Sequence, residues 1–460
     1  MNFKNKLKKN SMILKKLIFC CLIFLNFILF SQKAIKVEII FDGKNWNLVR
    51  DGKPYYIKGA GGDKYLDKIV ECGGNSLRTW GPENAQQILD DAQARGLTVM
   101  LGLWVQHERH GFDYNNKQKI EKQLNDFKNI VLKYKDHPAL LLWGVGNEVD
   151  LFYTNTKVWN AINDIAKMIH EVDPNHPTST VTAGLDSNEV VLIKANAPHI
   201  DIYGVNTYGD IGNVKENILK FGWEGPYMIT EWGPNGHWES PKTEWGSSIE
   251  QTSKEKSSSY LERFSKCIFA DNKKCIGSYA FLWGNKQEYT STWYGLFSEE
   301  GMPTEALDAI EYCWKGTFPE NLSPSVDSFF VNGLNKNQNI YLKSQNKFEA
   351  KVFASSKNND KLIYKWAILP ESSDLKSGGD IENKPEELNG LIKNKKLNQI
   401  SFKAPLSEGG YRLFVTISNG KKVAYTNIPF YVLPRTENDP PVNLVNFKTA
   451  TMDSFKKDSE

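Results

Sequence analysis

Between Tyr55 and Gly284 one pattern recurs: a short apolar run, a polar side chain where the run ends, then a stretch with helical spacing. A chain that alternates strands and helices in this way covers both faces of its sheet. The strands therefore run parallel and their C-terminal ends collect on one face. Eight runs can be placed, near Tyr55–Gly59, Ser76–Trp80, Thr98–Trp104, Leu140–Gly146, Thr178–Thr182, Ile200–Tyr208, Tyr227–Glu231 and Ile276–Trp283. Eight units of this kind predict an α/β fold, a closed (β/α)8 TIM barrel. Between the strands, Pro82 opens a helix that Gly96 ends, and Ile120, Leu124, Phe127, Ile130 and Val131 form the core-facing stripe of another. An open doubly wound sheet is the competing arrangement. It needs a phosphate loop after the first strand, and Gly59-Ala60-Gly61-Gly62 lacks the GxGxxG spacing, so we read it as a close backbone approach beneath a ligand or as a turn.

The patterning changes after Lys315-Gly316-Thr317-Phe318-Pro319. Short alternating stretches follow, among them Phe348–Val352, Ile363–Ile368, Tyr411–Val415 and Ile428–Val432, which predict an immunoglobulin-like β-sandwich with Trp366 in its core. The expected division is a barrel over residues 32–318, a sandwich over 319–434 and a polar tail over 435–460. Residues 32–53 are expected as a strand or hairpin closing the barrel floor.

The first 31 residues carry Lys4, Lys6, Lys8, Lys9, Lys15 and Lys16 ahead of an apolar run from Leu17 to Phe30, which reads as a secretory signal peptide. A signal anchor is the alternative, but the run is shorter than the roughly 20 residues that span a bilayer. Cys20 and Cys21 lie deep in that run behind Ile18 and Phe19, which disfavours a lipoprotein site. Losing six lysines and no acids takes the formal charge from +3 to −3, which argues against a nucleic-acid partner. The expectation is a secreted, periplasmic or cell-surface monomer with no membrane contact once the leader is gone. Cys72, Cys267, Cys275 and Cys313 then remain, and the closeness of Cys267 and Cys275 permits a local disulfide, with buried free thiols as the alternative.

Two strand ends carry carboxylates. Leu140-Leu141-Leu142-Trp143-Gly144-Val145-Gly146-Asn147-Glu148 is an apolar run ending on an amide and an acid, and Pro226-Tyr227-Met228-Ile229-Thr230-Glu231 repeats the design. The glutamates stand 83 residues apart, close to three βα units of the ~31 residues each that a barrel of this size allots, so they end strands four and seven. An acid buried at the barrel mouth keeps its proton nearer neutral pH. A capping or ion-paired glutamate is the bland alternative for either. Paired carboxylates about 5 to 5.5 Å apart serve retaining glycosidases as acid/base and nucleophile.

Trp143-Gly144-Val145-Gly146-Asn147-Glu148 and Ile229-Thr230-Glu231-Trp232-Gly233 resemble the acid/base and nucleophile motifs of clan A glycoside hydrolases, over the whole barrel. The resemblance implies Glu148 as acid/base, Glu231 as nucleophile and Asn147 as the partner of the sugar 2-hydroxyl. It also implies that Arg78 on strand two pairs with the nucleophile and that Tyr208, after Asn206 on strand six, donates to it. Trp283 after strand eight would be the sugar platform, and Trp80, Trp104, Trp232 and His107 would line neighbouring parts of a cleft. Structural arginine, packing tyrosine and core tryptophan are the alternatives. The run His107-Glu108-Arg109-His110 misses HExxH spacing by one position, so no metal is expected, and no cofactor either. Glu239 and Glu244 are expected at the rim.

Within the clan, a barrel followed by an immunoglobulin-like domain most resembles glycoside hydrolase family 158. That resemblance implies a retaining endo-β-1,3-glucanase with a β-glucan substrate. Family 5 mannanases and cellulases, family 72 glucanosyltransferases and, from another class, a non-catalytic glycan-binding protein are the other readings. A spacer or packing role is expected for the sandwich.

Overall fold

The computed structural model describes residues 33–395 and 397–434, so the expected leader and tail lie outside the described residues. Strands β1 (Val37–Phe41), β2 (Trp46–Arg50) and β3 (Lys53–Pro54) form a small antiparallel sheet. It seats under the barrel. Val37 N donates to Asn175 O at 2.8 Å, Trp46 N to Lys273 O at 2.7 Å, and Arg50 Nη2 to Pro138 O at 2.8 Å, all three acceptors lying just before a barrel strand. Val37 and Leu48 join Met100, Leu142, Ile202, Met228 and Ile276 in one buried cluster that plugs the lower interior.

The barrel strands are β4 (Ile57–Gly61), β5 (Ser76–Arg78), β6 (Thr98–Leu103), β7 (Leu140–Val145), β8 (Thr178–Ala183), β9 (Ile202–Asn206), β10 (Tyr227–Trp232) and β11 (Cys275–Ala280). They pair in parallel, and β11 meets β4 at Gly277↔Ile57 to close the ring. These strands are apolar on both sides because one side fills the barrel and the other packs against helices. The helix Lys157–Val172 shows the complementary pattern, burying Val158, Trp159, Ile162, Ile165, Ala166 and Ile169 at three- and four-residue spacing. Each buried valine or isoleucine among them contributes roughly 1.5–3 kcal/mol by leaving water.

The C-terminal unit is a sandwich of two four-stranded sheets. One contains β12 (Ser325–Val331), β14 (Lys347–Ser355), β17 (Gln399–Lys403) and β16 (Ile392–Lys393); the other contains β13 (Tyr341–Lys343), β19 (Val423–Leu433), β18 (Gly409–Ser418) and β15 (Ile363–Pro370). Trp366 is fully buried between them, donating Nε1 to Leu397 O at 2.8 Å.

The sandwich docks on the barrel through buried polar groups. Arg412 donates to Glu371 at 2.9 Å and Asn427 at 2.8 Å within its own domain, and to the carbonyl of Ser248 across the interface. Asn427 in turn reaches Glu250 at 2.6 Å. Of the two expected roles, spacer or packing, these buried contacts match packing. Cys72, Cys267, Cys275 and Cys313 are all free thiols, which corrects the permitted local bridge: Cys275 is buried inside β11 and Cys267 sits on a neighbouring turn. Among the described residues, no helix is long and apolar enough to cross a membrane.

Candidate active site

The mouth of the barrel holds a cleft of about 490 Å³ whose floor carries Trp80, Asn147, Glu148, Asn206, Tyr208, Glu231 and Phe281. β7 stops at Val145, and the chain then turns through Gly146 (φ 80°) to reach Glu148, itself at φ 50°. A non-glycine residue in the left-handed region costs energy and persists only where its surroundings enforce it. Here the backbone of Glu148 is tied down by its N–H, which donates to Val181 O at 2.9 Å.

Glu231, inside β10, is 6% exposed and accepts three hydrogen bonds: from Arg78 Nη1 at 3.1 Å, Trp80 Nε1 at 2.7 Å and Tyr208 OH at 3.0 Å. Arg78 also donates to Thr230 O at 2.7 Å and Asn147 Oδ1 at 2.6 Å, so one guanidinium at the end of β5 links strands two, four and seven. Asn206 joins the carboxylates from the other side. Its Nδ2 donates to Glu148 Oε1 at 2.8 Å and Asn147 Oδ1 at 3.1 Å, while its Oδ1 accepts from Thr230 Oγ1 at 2.8 Å.

Burial and, next, the charge of Glu231 push the Glu148 carboxyl up to about 7, against the pull of Asn206 and Arg78. Burial also holds the Tyr208 phenol well above its ordinary value, so it remains a donor. One carboxyl that keeps its proton near neutrality beside another that accepts only from donors is the division an acid/base pair requires.

The structure thus brings together Glu148, Glu231, Asn147, Asn206, Arg78, Tyr208 and Trp80, and Trp104 lines the same cleft. Three expected lining residues lie elsewhere. Trp283 is 1% exposed and packs against Trp314 and Phe297 in the shell between barrel and helices, at ring separations of 5.6 and 5.5 Å. Trp232 is fully buried against Tyr260 and Phe264. His107 is also buried, behind the cleft, stacked between Trp104 and His110. Burial pushes its imidazole down to about 4, so it supports Trp104 as a neutral ring.

The strand-eight aromatic at the cleft is instead Phe281, set edge-on to Trp80 at 6.0 Å and to Tyr208 at 6.0 Å. Its position immediately after β11 was the available signal, overshadowed by the larger Trp283 two residues on. Glu239 does reach the rim, accepting from Gly209 N at 2.7 Å; Glu244 turns to the sandwich and accepts from Tyr341 at 2.8 Å. Glu108 accepts from Thr154 and Asn155, and His110 faces Asp380, so the two have separate structural partners.

Residues 78–316 match the model of the glycosyl hydrolases family 2, TIM barrel domain. The chain is 24% identical over 202 residues to a β-galactosidase, BoGH2A, of Bacteroides ovatus, covering 37% of this chain and 23% of that protein. It is 22% identical over 179 residues to a β-glucuronidase of Chlorocebus aethiops, covering 34% and 26% respectively. The chain therefore spans about a quarter of the length of these curated relatives. Among solved structures, the apo β-glucuronidase 3 of Bacteroides uniformis aligns at a TM-score of 0.45 and 14% identity, over 88% of this chain and 52% of that one.

Proposed function

Because the chain belongs to the glycosyl hydrolases family 2 TIM-barrel family, and not to the family 158 to which the motif wording pointed, we propose that this clan A glycoside hydrolase cleaves a β-glycosidic bond by retaining double displacement. Glu231 attacks the anomeric carbon while Glu148 gives its proton to the departing oxygen; Glu148 then takes a proton from the water that releases the sugar from Glu231. The three donors on Glu231 support this reading most directly. They suit an acceptor-only carboxylate, aim it without freedom to rotate, and loosen their hold as its charge passes to the sugar. Asn147 and Asn206, both buried next to Arg78, are the groups we assign to the sugar hydroxyl beside the reacting carbon.

The substrate class is a β-linked glycan. A β-1,3-glucan is one candidate, from the likeness of a barrel followed by an immunoglobulin-like domain to β-1,3-glucanases, whereas the relatives named above carry β-galactosidase and β-glucuronidase activities in their names. The basic and apolar segments ahead of the described residues support action outside the cytoplasm. The test is hydrolysis of laminarin, curdlan, mixed-linkage glucan and aryl β-galactoside, β-glucoside and β-glucuronide, with the first anomer followed by NMR. Glu231→Gln should remove turnover while leaving the fold intact. An inverted first product, or undiminished activity in that variant, contradicts the reading.

A further inference from the structure

The barrel rim is low over its first two strands. After β4 only Gly62 to Tyr65 precede the helix Leu66–Glu71, and after β5 only Thr79 to Asn84 precede the helix Ala85–Ala94. The neighbouring rims are the segment after β6, with Arg109 and His110, and the segment after β11, with Lys286 and Tyr289.

A long connection between β15 and β16 of the sandwich lies across this gap. Arg109 Nη1 pairs with Asp380 Oδ2 at 2.7 Å, and His110 Nε2 faces the same oxygen at 3.1 Å. On the other side Lys286 Nζ donates to Gly379 O at 3.1 Å, and Tyr289 N donates to Glu382 Oε2 at 2.7 Å. The other oxygen of Glu382 accepts from Lys376 N at 3.1 Å, so one buried carboxylate ties the loop both to itself and to the barrel.

The loop fits closely. Gly378 and Gly379 have φ of 63° and 71°, and a Cβ on them would stand 2.7 Å from Arg109 Nη2 and 3.0 Å from Lys286 Nζ. Lys376, Ser377, Gly378 and Gly379 face the same cleft as Glu148 and Glu231.

Orientation follows from the acid. Glu148 is held by Asn206 of β9 and shares its part of the cleft with Leu151, Phe152 and Ala183–Asp186, so the leaving group departs over the fourth to sixth strands. The retained sugar then rests above Glu231, Trp80 and Phe281, with its far end toward the first two strands and the sandwich loop.

We propose that the 376–380 loop of the sandwich is the glycone-side wall of the cleft, the element that closes it behind the sugar bound at Glu231. The proposal rests on the retaining β-glycosidase reading. It makes the sandwich a part of the substrate site, with Lys376 and the backbone of Ser377 to Gly379 as the specificity-determining groups, and with Asp380 and Glu382 as the residues that position them.

The test compares the full-length protein with Lys376→Ala, Asp380→Ala and a variant lacking Ser377 through Asp380. The substrates are the panel polymer that the native protein cleaves fastest and the matching aryl monosaccharide glycoside. The native protein should release monosaccharide only. The two point variants should raise KM on the aryl glycoside about tenfold, a loss of one sugar-binding contact worth about 1.4 kcal/mol, with kcat within about threefold. The shortened loop should add products longer than one sugar. If the shortened chain fails to fold, the KM-against-kcat split in the point variants still decides. Internal fragments from the native protein, or point variants with native KM, overturn the wall. A native protein inactive on the entire panel, or an undiminished Glu231→Gln variant, overturns the glycosidase reading itself.

Discussion

Asn206 donates its amide to Glu148 Oε1 at 2.8 Å, a side-chain hydrogen bond that draws the Glu148 carboxyl back toward its ordinary range. Because Glu148 must be protonated to act as acid, activity should fall as pH rises through about 7. Removing the donor with Asn206→Ala raises the carboxyl further, so the alkaline limb of kcat/KM should move to higher pH while its height drops. An alkaline limb that stays in place or moves down would show that Asn206 does not tune the acid.

Glu148→Gln should lower kcat by about 10²- to 10⁴-fold on glycosides with poor leaving groups, the range for loss of a general acid. The loss should be smaller on aryl glycosides whose leaving group needs little protonation, and the alkaline limb should vanish. Equal losses on both substrates would assign Glu148 a role other than proton transfer.

The same substitution should affect stability in the opposite direction. Glu148 binds its proton more tightly folded than unfolded, since the folded group is raised to about 7 from 4.5. Its contribution to stability is therefore most favourable below the unfolded value and is lost as pH rises through the folded one. Glu148→Gln should raise Tm at pH 8 and leave it nearly unchanged at pH 4. Equal gains at both would point to packing or to the φ of 50° at this position rather than to charge.

Phe281 and Trp283 should separate cleanly. Trp283→Ala opens a cavity beside Trp314 and should cost about 3–5 kcal/mol, read by denaturant unfolding. Phe281→Leu should shift Tm far less and raise KM several-fold. A Trp283 variant that loses sugar affinity at native stability would restore it as the platform.

Arg78→Lys should also be severe. Lysine cannot reproduce the fork that serves Glu231, Thr230 and Asn147 together, and it leaves buried acceptors unpaired. A drop in kcat/KM of at least about a hundredfold, near 2.7 kcal/mol, is expected; a near-native value would count against the shared guanidinium.

The barrel was legible because its strands are buried on both sides and so read as apolar runs, with Glu148 and Glu231 marking two of their ends. Arg78, Tyr208 and Asn206 also stand at strand ends, and the resemblance to the clan's motifs is what singled them out there. Tryptophan was a poorer guide. Trp232 and Trp283 serve the hydrophobic shell outside the strands as well as they would serve a sugar, and nothing in residue type separates the two uses. The family was equally ambiguous, since strand-end motifs describe the chemistry that a whole clan shares. The wall across the mouth was invisible because Asp380 meets Arg109 from 271 residues away, through a domain whose strand pattern says nothing about where its loops dock.

Arg412 lies almost fully buried, with two of its acceptors in its own domain and a third, the Ser248 carbonyl, on the barrel. Each charge keeps an ion partner inside its own half, Arg412 with Glu371 and Glu250 with Lys256, and the seam adds a donor from the sandwich to the Ser248 carbonyl and another to Glu250. The two domains are therefore poor candidates for shuffling. A foreign sandwich grafted onto this barrel would leave the Ser248 carbonyl and Glu250 Oε2 each short of one buried donor, a loss of about 1–3 kcal/mol apiece. Descendants of this chain should accordingly keep or lose both halves as one inherited block.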